Sequence, residues 1–178
     1  FLKKIIYLNF NLNINKTYKF WLSVYSFFEK SKLGNSIYFS NEIVMKTERS
    51  NYIIYNSKNL ESFCKIKISG KTKWNNTYFL IDNKVPDRKC ISVLKCPKDI
   101  IESGLYITNW IHGDYIKAND GASKKVSDIF INQKLSYYNK KNYPIIRNNK
   151  NQIIWIPNLE FEKFKSNEMR NIYWMKND

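Results

Sequence analysis

The chain is poor in the residues that usually announce chemistry: five glycines, one histidine, three cysteines and four prolines in 178 residues. The glycines are Gly34, Gly70, Gly104, Gly113 and Gly121, and no two are adjacent or paired as Gly-x-Gly. That spacing excludes a Walker-type loop, a dinucleotide fingerprint and any glycine-rich wrap around a nucleotide phosphate. His112 is the sole imidazole, so there is no His–His metal pair, and no Gly-x-Ser-x-Gly elbow presents a serine nucleophile. Cys64, Cys90 and Cys96 are too few and too unevenly spaced for a disulfide framework or a four-ligand zinc site. They read as reduced thiols serving as small core residues. No uncharged apolar run approaches the ~18 residues of a membrane span. The sequence assigns no catalytic residue and no metal ligand, and favours binding over catalysis.

Acid is scarce as well. Thirty Lys plus Arg stand against fifteen Asp plus Glu, a formal charge of +15, with 43% hydrophobic and 16% aromatic residues. So many core formers exclude a disordered chain, and the charge points to a polyanionic partner. Codon usage takes a share of that charge. Ile, Asn, Lys, Tyr and Phe are all heavily used, with about two dozen Asn, well above ordinary usage. An AT-rich genome produces this pattern without selection for a ligand. The chain opens on Phe1 with no small-residue cleavage site after its basic, apolar start, and so reads as a processed product or a fragment rather than a signal peptide.

The expected architecture is α+β: an N-terminal amphipathic helix leading into short antiparallel strands, then a small α+β domain. Phe20, Val24, Phe27 and Phe28 recur at helical spacing within 16–33, ending near Gly34. The period then falls to two, with strands at 36–39, 43–46 and 52–55, and further strand-like runs at 63–68 and 78–81. Gly70 to Asn76 reads as a polar turn region and Pro86-Asp87 as a loop. Ser123 is expected to cap a helix over 124–133, and 143–146 with 152–157 to form a hairpin. Residues 165–178 read as a short helix or frayed tail. The expected division is 1–106 and 107–178.

Two stretches have the composition of a nucleic-acid surface. Lys124 and Lys125 fall in the first turn of the expected helix, where free N–H groups and the dipole favour phosphate; a solvated basic turn explains them equally. Tyr137-Tyr138-Asn139-Lys140-Lys141-Asn142-Tyr143 interleaves rings that stack on bases with cations that neutralise phosphates.

The order of these pieces resembles a known family. Ile107 to Gly113-Asp114, then Gly121-Ala-Ser-Lys124-Lys125 running to Phe130 and Lys134, then Tyr143-Pro144, then Gln152-Ile-Ile-Trp155-Ile-Pro157 is similar to the C-terminal domain of the tRNA(Ile)-lysidine synthases. That domain runs Arg-x-x-x-x-Gly-Asp, a Lys-Lys helix ending in Phe, a Pro turn and Ile-x-Trp-Val-Pro-Gly. Thr108 stands where the family usually has Arg, Ser136 where it has Pro, Asn142 where a second Arg is common, and Asn158 where it has Gly. The resemblance implies tRNA binding through Lys124, Lys125, Lys134, Lys140 and Lys141, on a framework that includes Gly113, Asp114, Phe130, Pro144, Trp155 and Pro157. It implies an enzyme of the bacterial cytoplasm, or of an organelle of bacterial ancestry, that joins free lysine to the wobble cytidine of an isoleucine tRNA with a CAU anticodon. ATP with Mg would serve an N-terminal domain whose Ser-Gly-Gly-x-Asp-Ser loop has no counterpart here, so no cofactor is expected in this chain. A free-standing basic RNA- or DNA-binding module, and an interaction domain whose charge is codon bias, remain as rivals.

Overall fold

In the computed structural model, residues 1–58, 64–82, 86, 90–117 and 121–176 are described. Asp87 of the expected Pro86-Asp87 loop and Phe63 of the expected 63–68 strand lie outside them. Two compact units emerge: Phe1–Ser62 with Ser136–Tyr138, and Phe63–Leu135 with Asn139–Asp178. Packing thus divides the chain near 62/63, whereas 106/107 was expected. The reason is strand pairing, since elements between 64 and 97 are hydrogen-bonded to strands from the C-terminal part.

In the first unit, α1 (Leu2–Phe10) and α2 (Tyr18–Lys30) accompany an antiparallel meander of β1 (Ser36–Tyr38), β2 (Ile43–Thr47) and β3 (Tyr52–Asn56). The Thr17 hydroxyl accepts a hydrogen bond from the Phe20 amide and caps α2. Phe20, Val24 and Phe27 fall on one face of that helix. They pack with Ile6, Ile14, Phe39, Ile43 and Met45 in one cluster.

In the second unit, one sheet runs β10 (Ser123–Lys125), β9 (Tyr115–Lys117), β12 (Ile153–Ile156), β11 (Ile145–Asn148), β8 (Leu105–Thr108), β4 (Lys65–Lys67), with β13 (Glu160–Phe161) paired to β12. The other runs β5 (Lys71–Trp74), β6 (Thr77–Asp82), β14 (Met169–Lys176), β7 (Cys90–Pro97). Trp74, Phe79, Leu94, Cys96 and Ile172 of the latter share one core with Leu105, Ile107, Ile146, Ile154 and Trp155 of the former. The first sheet's opposite face packs Ile116, Ile145, Ile153 and Ile156 against Val126 and Phe130 of α4 (Val126–Asn132). The fold is α+β, with α3 (Lys98–Ser103) and α5 (Tyr137–Asn142) as short additional helices.

Three local expectations give way. Lys71–Trp74, expected in a turn, is a strand, because Thr72 and Trp74 turn inward while both lysines face solvent. The expected tail contains β14, which lies between β6 and β7 in the interior of its sheet. The segment from Ser123 to Lys125 is extended, so α4 begins at Val126 and Ser123 caps nothing. Among the described residues, no helix is long and apolar enough to cross a membrane.

Candidate nucleic-acid interface

Phe130 and Tyr143 pack on the face of the first sheet that carries α4, and Trp155 lies on its other face, in the core shared by the two sheets. Gly113 sits at φ 91° in the turn after β8, a conformation that glycine adopts without Cβ strain. Next to it, Asp114 is buried and its Oδ2 accepts from the Ile111 amide at 2.9 Å. Phe130 is fully buried, with Trp110 edge-on at 6.0 Å and Tyr143 at 5.3 Å. The Tyr143 hydroxyl donates to the Pro157 carbonyl at 2.6 Å, and burial pushes that phenol up to about 12. Pro144 and Pro157 are buried, and Trp155 is 2% exposed with Phe79 edge-on at 6.0 Å. Asn158 takes φ 61°, so it holds the left-handed turn that glycine would otherwise hold.

One charged group at the centre of this framework was not singled out by sequence. Arg147 is 3% exposed, and its guanidinium donates to Asp114 Oδ2 at 2.6 Å, to Thr108 Oγ1 at 2.9 Å and to the Asn151 carbonyl at 3.3 Å. It reaches Thr108 from the neighbouring strand, where Ile145 is the residue opposite Thr108 and Arg147 is opposite Tyr106. This arginine makes all three of these bonds within the fold.

The five lysines expected to bind tRNA do not form one cluster. Lys124 and Lys125 are successive residues of a strand, so they face opposite sides of the sheet. Lys124 lies opposite Ile116 and bridges Glu160 at 3.1 Å. Lys125 lies opposite Tyr115, its ammonium 6.0 Å from the ring centre, and is exposed. Lys134 is exposed at φ 53° beyond the end of α4, where its amide donates to the Ile131 carbonyl. Lys140 and Lys141 are half-buried in the last turn of α5, with the Lys141 ammonium 5.8 Å from the Trp110 ring. The arrangement offers cations on two faces of the sheet and at its helical side.

The cysteines take no part. Burial pushes the Cys96 thiol up to about 12, with the Asp99 and Glu162 carboxylates adding to the effect, so at neutral pH it is a protonated core residue.

No protein-family model matches the chain. It is 44% identical over 54 residues to the tRNA(Ile)-lysidine synthase of Bacillus subtilis (strain 168), a match covering 30% of this chain and 11% of that protein. It is 34% identical over 76 residues to the tRNA(Ile)-lysidine synthase of Bacillus licheniformis, covering 42% of this chain and 16% of that protein. The matched stretches thus span less than a fifth of those relatives. Among solved structures, the crystallised TILS C-terminal domain superposes with a TM-score of 0.54 at 15% identity, covering 66% of this chain and 99% of that one. At that identity the likeness is one of fold. In local sequence and in α+β architecture, the chain resembles the C-terminal part of a tRNA(Ile)-lysidine synthase.

Proposed function

We propose that this chain is the C-terminal, tRNA-gripping part of a tRNA(Ile)-lysidine synthase. The observation that carries the reading is the 44% identity over 54 residues to such an enzyme. The charge of +15 is in keeping with a polyanionic partner. In this role the chain holds an isoleucine tRNA while lysine is joined to its wobble cytidine in the cytoplasm. ATP with Mg belongs to the adenylation of the cytidine and free lysine to the displacement of AMP that follows, both on another domain, and no residue of this chain is assigned to them.

The test is fluorescence anisotropy of the chain with an isoleucine tRNA transcript across a salt series. Binding whose logarithm falls linearly with the logarithm of salt is the expected result, the slope counting the neutralised phosphates. Absent binding, or binding indifferent to salt, overturns the reading. Sequencing the coding DNA upstream of Phe1 tests the other half of it: an in-frame Ser-Gly-Gly-x-Asp-Ser loop is expected.

A further inference from the structure

We infer that the β9–β10 hairpin and the cleft beside it form a seat for an unpaired RNA nucleotide, an inference that rests on the RNA-binding reading above and assigns it a surface. Tyr115 stands 52% exposed on β9, and Lys117 follows it two residues later on the same face. Across the antiparallel ladder Tyr115 is opposite Lys125, and directly opposed residues share a face. A ring and two ammonium groups are therefore displayed together, while Lys124 is turned away toward Glu160. Among the described residues no carboxylate lies within ion-pair distance of Lys117 or Lys125. Residues 118–120 lie outside the described residues and are not part of the seat.

Tyr115 and Lys117 also line an open cleft of about 420 Å³ whose wall includes Asn151, Gln152, Glu162 and the Arg147–Asp114 pair. That volume is within the range of small-molecule sites, which begins at roughly 300 Å³. The charge layout sorts the two halves of a nucleotide. Arg147 is neutralised by Asp114, so the Glu162 carboxylate is the wall's acceptor for a base amino group, and the two amides offer further polar groups to a base edge. The cations stand at the hairpin, where a backbone running past the cleft would place its phosphates. Lys117 and Lys125 neutralise that backbone, and the Tyr115 ring supplies the stacking surface. Bases inside a duplex have no free face to offer such a ring, so the seat selects single-stranded RNA over double-stranded RNA.

The experiment is anisotropy titration of the full chain with a labelled 12-nucleotide single-stranded RNA and with the same strand annealed to its complement. The chain carries Tyr115→Ala, Tyr115→Phe, or Lys117→Gln with Lys125→Gln, and thermal melting confirms that each variant folds. Tyr115→Ala is expected to weaken single-strand binding about tenfold, with Tyr115→Phe unchanged and duplex binding unaffected. The double lysine variant should lower the salt slope on the single strand by about 1.4, two phosphates' worth. Equal single-strand affinity for wild type and Tyr115→Ala overturns the seat while leaving tRNA binding intact. A loss by Tyr115→Ala that is equal on strand and duplex also overturns it. Failure of the wild-type chain to bind any RNA overturns the functional reading and the seat together.

Discussion

At the scale of single residues, the most consequential group is Arg147. The resembled domain usually has arginine where this chain has Thr108, five residues before a Gly-Asp pair. Here the cation arrives from the neighbouring strand and lies against Thr108 while pairing with Asp114. The turn that carries Asp114 is thereby tied to β8 and β11 by hydrogen bonds that leave little of either charge to water. A buried pair of this kind adds little net stability over an apolar replacement, but removing one partner strands the other. Arg147→Met is therefore expected to destabilise the second unit by about 3–5 kcal/mol, read by urea unfolding. Pairing it with Asp114→Asn should recover part of that loss, since no net charge is then left buried. A single-variant loss under about 1 kcal/mol would mean that the pair is solvated. Sequence could not have singled out Arg147, because one arginine beside an Asn-rich turn in a basic chain looks like every other surface cation until its partner 33 residues away is known.

At the scale of elements, legibility followed burial pattern. The α2 helix was readable because it buries one face, which leaves a helical period, and the β1–β3 meander from short β-rich runs between polar turns, even though β2 is buried on both faces. The β11–β12 hairpin was readable from its Asn-rich turn between two apolar runs. The β14 strand was not, because both of its faces are covered: Ile172 belongs to one cluster, Tyr173 and Met175 to another, so no alternation appears amid its Asn and Arg. The placement of Lys124 and Lys125 was misjudged for a related reason. Taking Lys124 and Lys125 as helical put them side by side, and the extended backbone sends them apart. Two predictions belong to this scale. A chain ending at Glu168 loses the strand between β6 and β7, and should lack the cooperative melting and near-ultraviolet circular dichroism of the intact protein; retention of both would restore the frayed-tail reading. Tyr143, which joins the approach to β11 to the end of β12 through Pro157, should make the fold sensitive to alkali. Its phenol is held neutral to about 12 against an ordinary 10, so its contribution is complete below pH 10 and drains away as pH rises toward 12. Tyr143→Phe should cost about 1 kcal/mol at neutral pH and flatten the stability profile between pH 10 and 12, measured by urea unfolding at each pH.

At the scale of the whole molecule, the charge is nearly uniform in density. Residues 1–62 carry nine Lys plus Arg against four acids, and residues 63–178 carry twenty-one against eleven. A chain whose cations had all been selected for one ligand would concentrate them, so this evenness is what codon bias adds to every surface alike. Position therefore has to decide which lysines bind. Lys4, Lys19 and Lys32 are exposed in the first unit, and each lies outside the seat assigned to RNA. Changing all three to Gln removes more charge than changing Lys117 and Lys125. If total charge governed affinity, the triple variant would be the weaker binder, because long-range attraction scales with net charge once contacts are ignored. If placed contacts govern, the triple variant should hold the single-stranded RNA within about twofold of wild type and keep its salt slope, while the Lys117 and Lys125 variant loses about 0.7 of slope per phosphate released. Anisotropy titrations of the two variants, side by side over one salt series, decide between them: a triple variant that falls below the double would make the charge of this chain a property of its genome's codons acting in bulk, and not of a built surface.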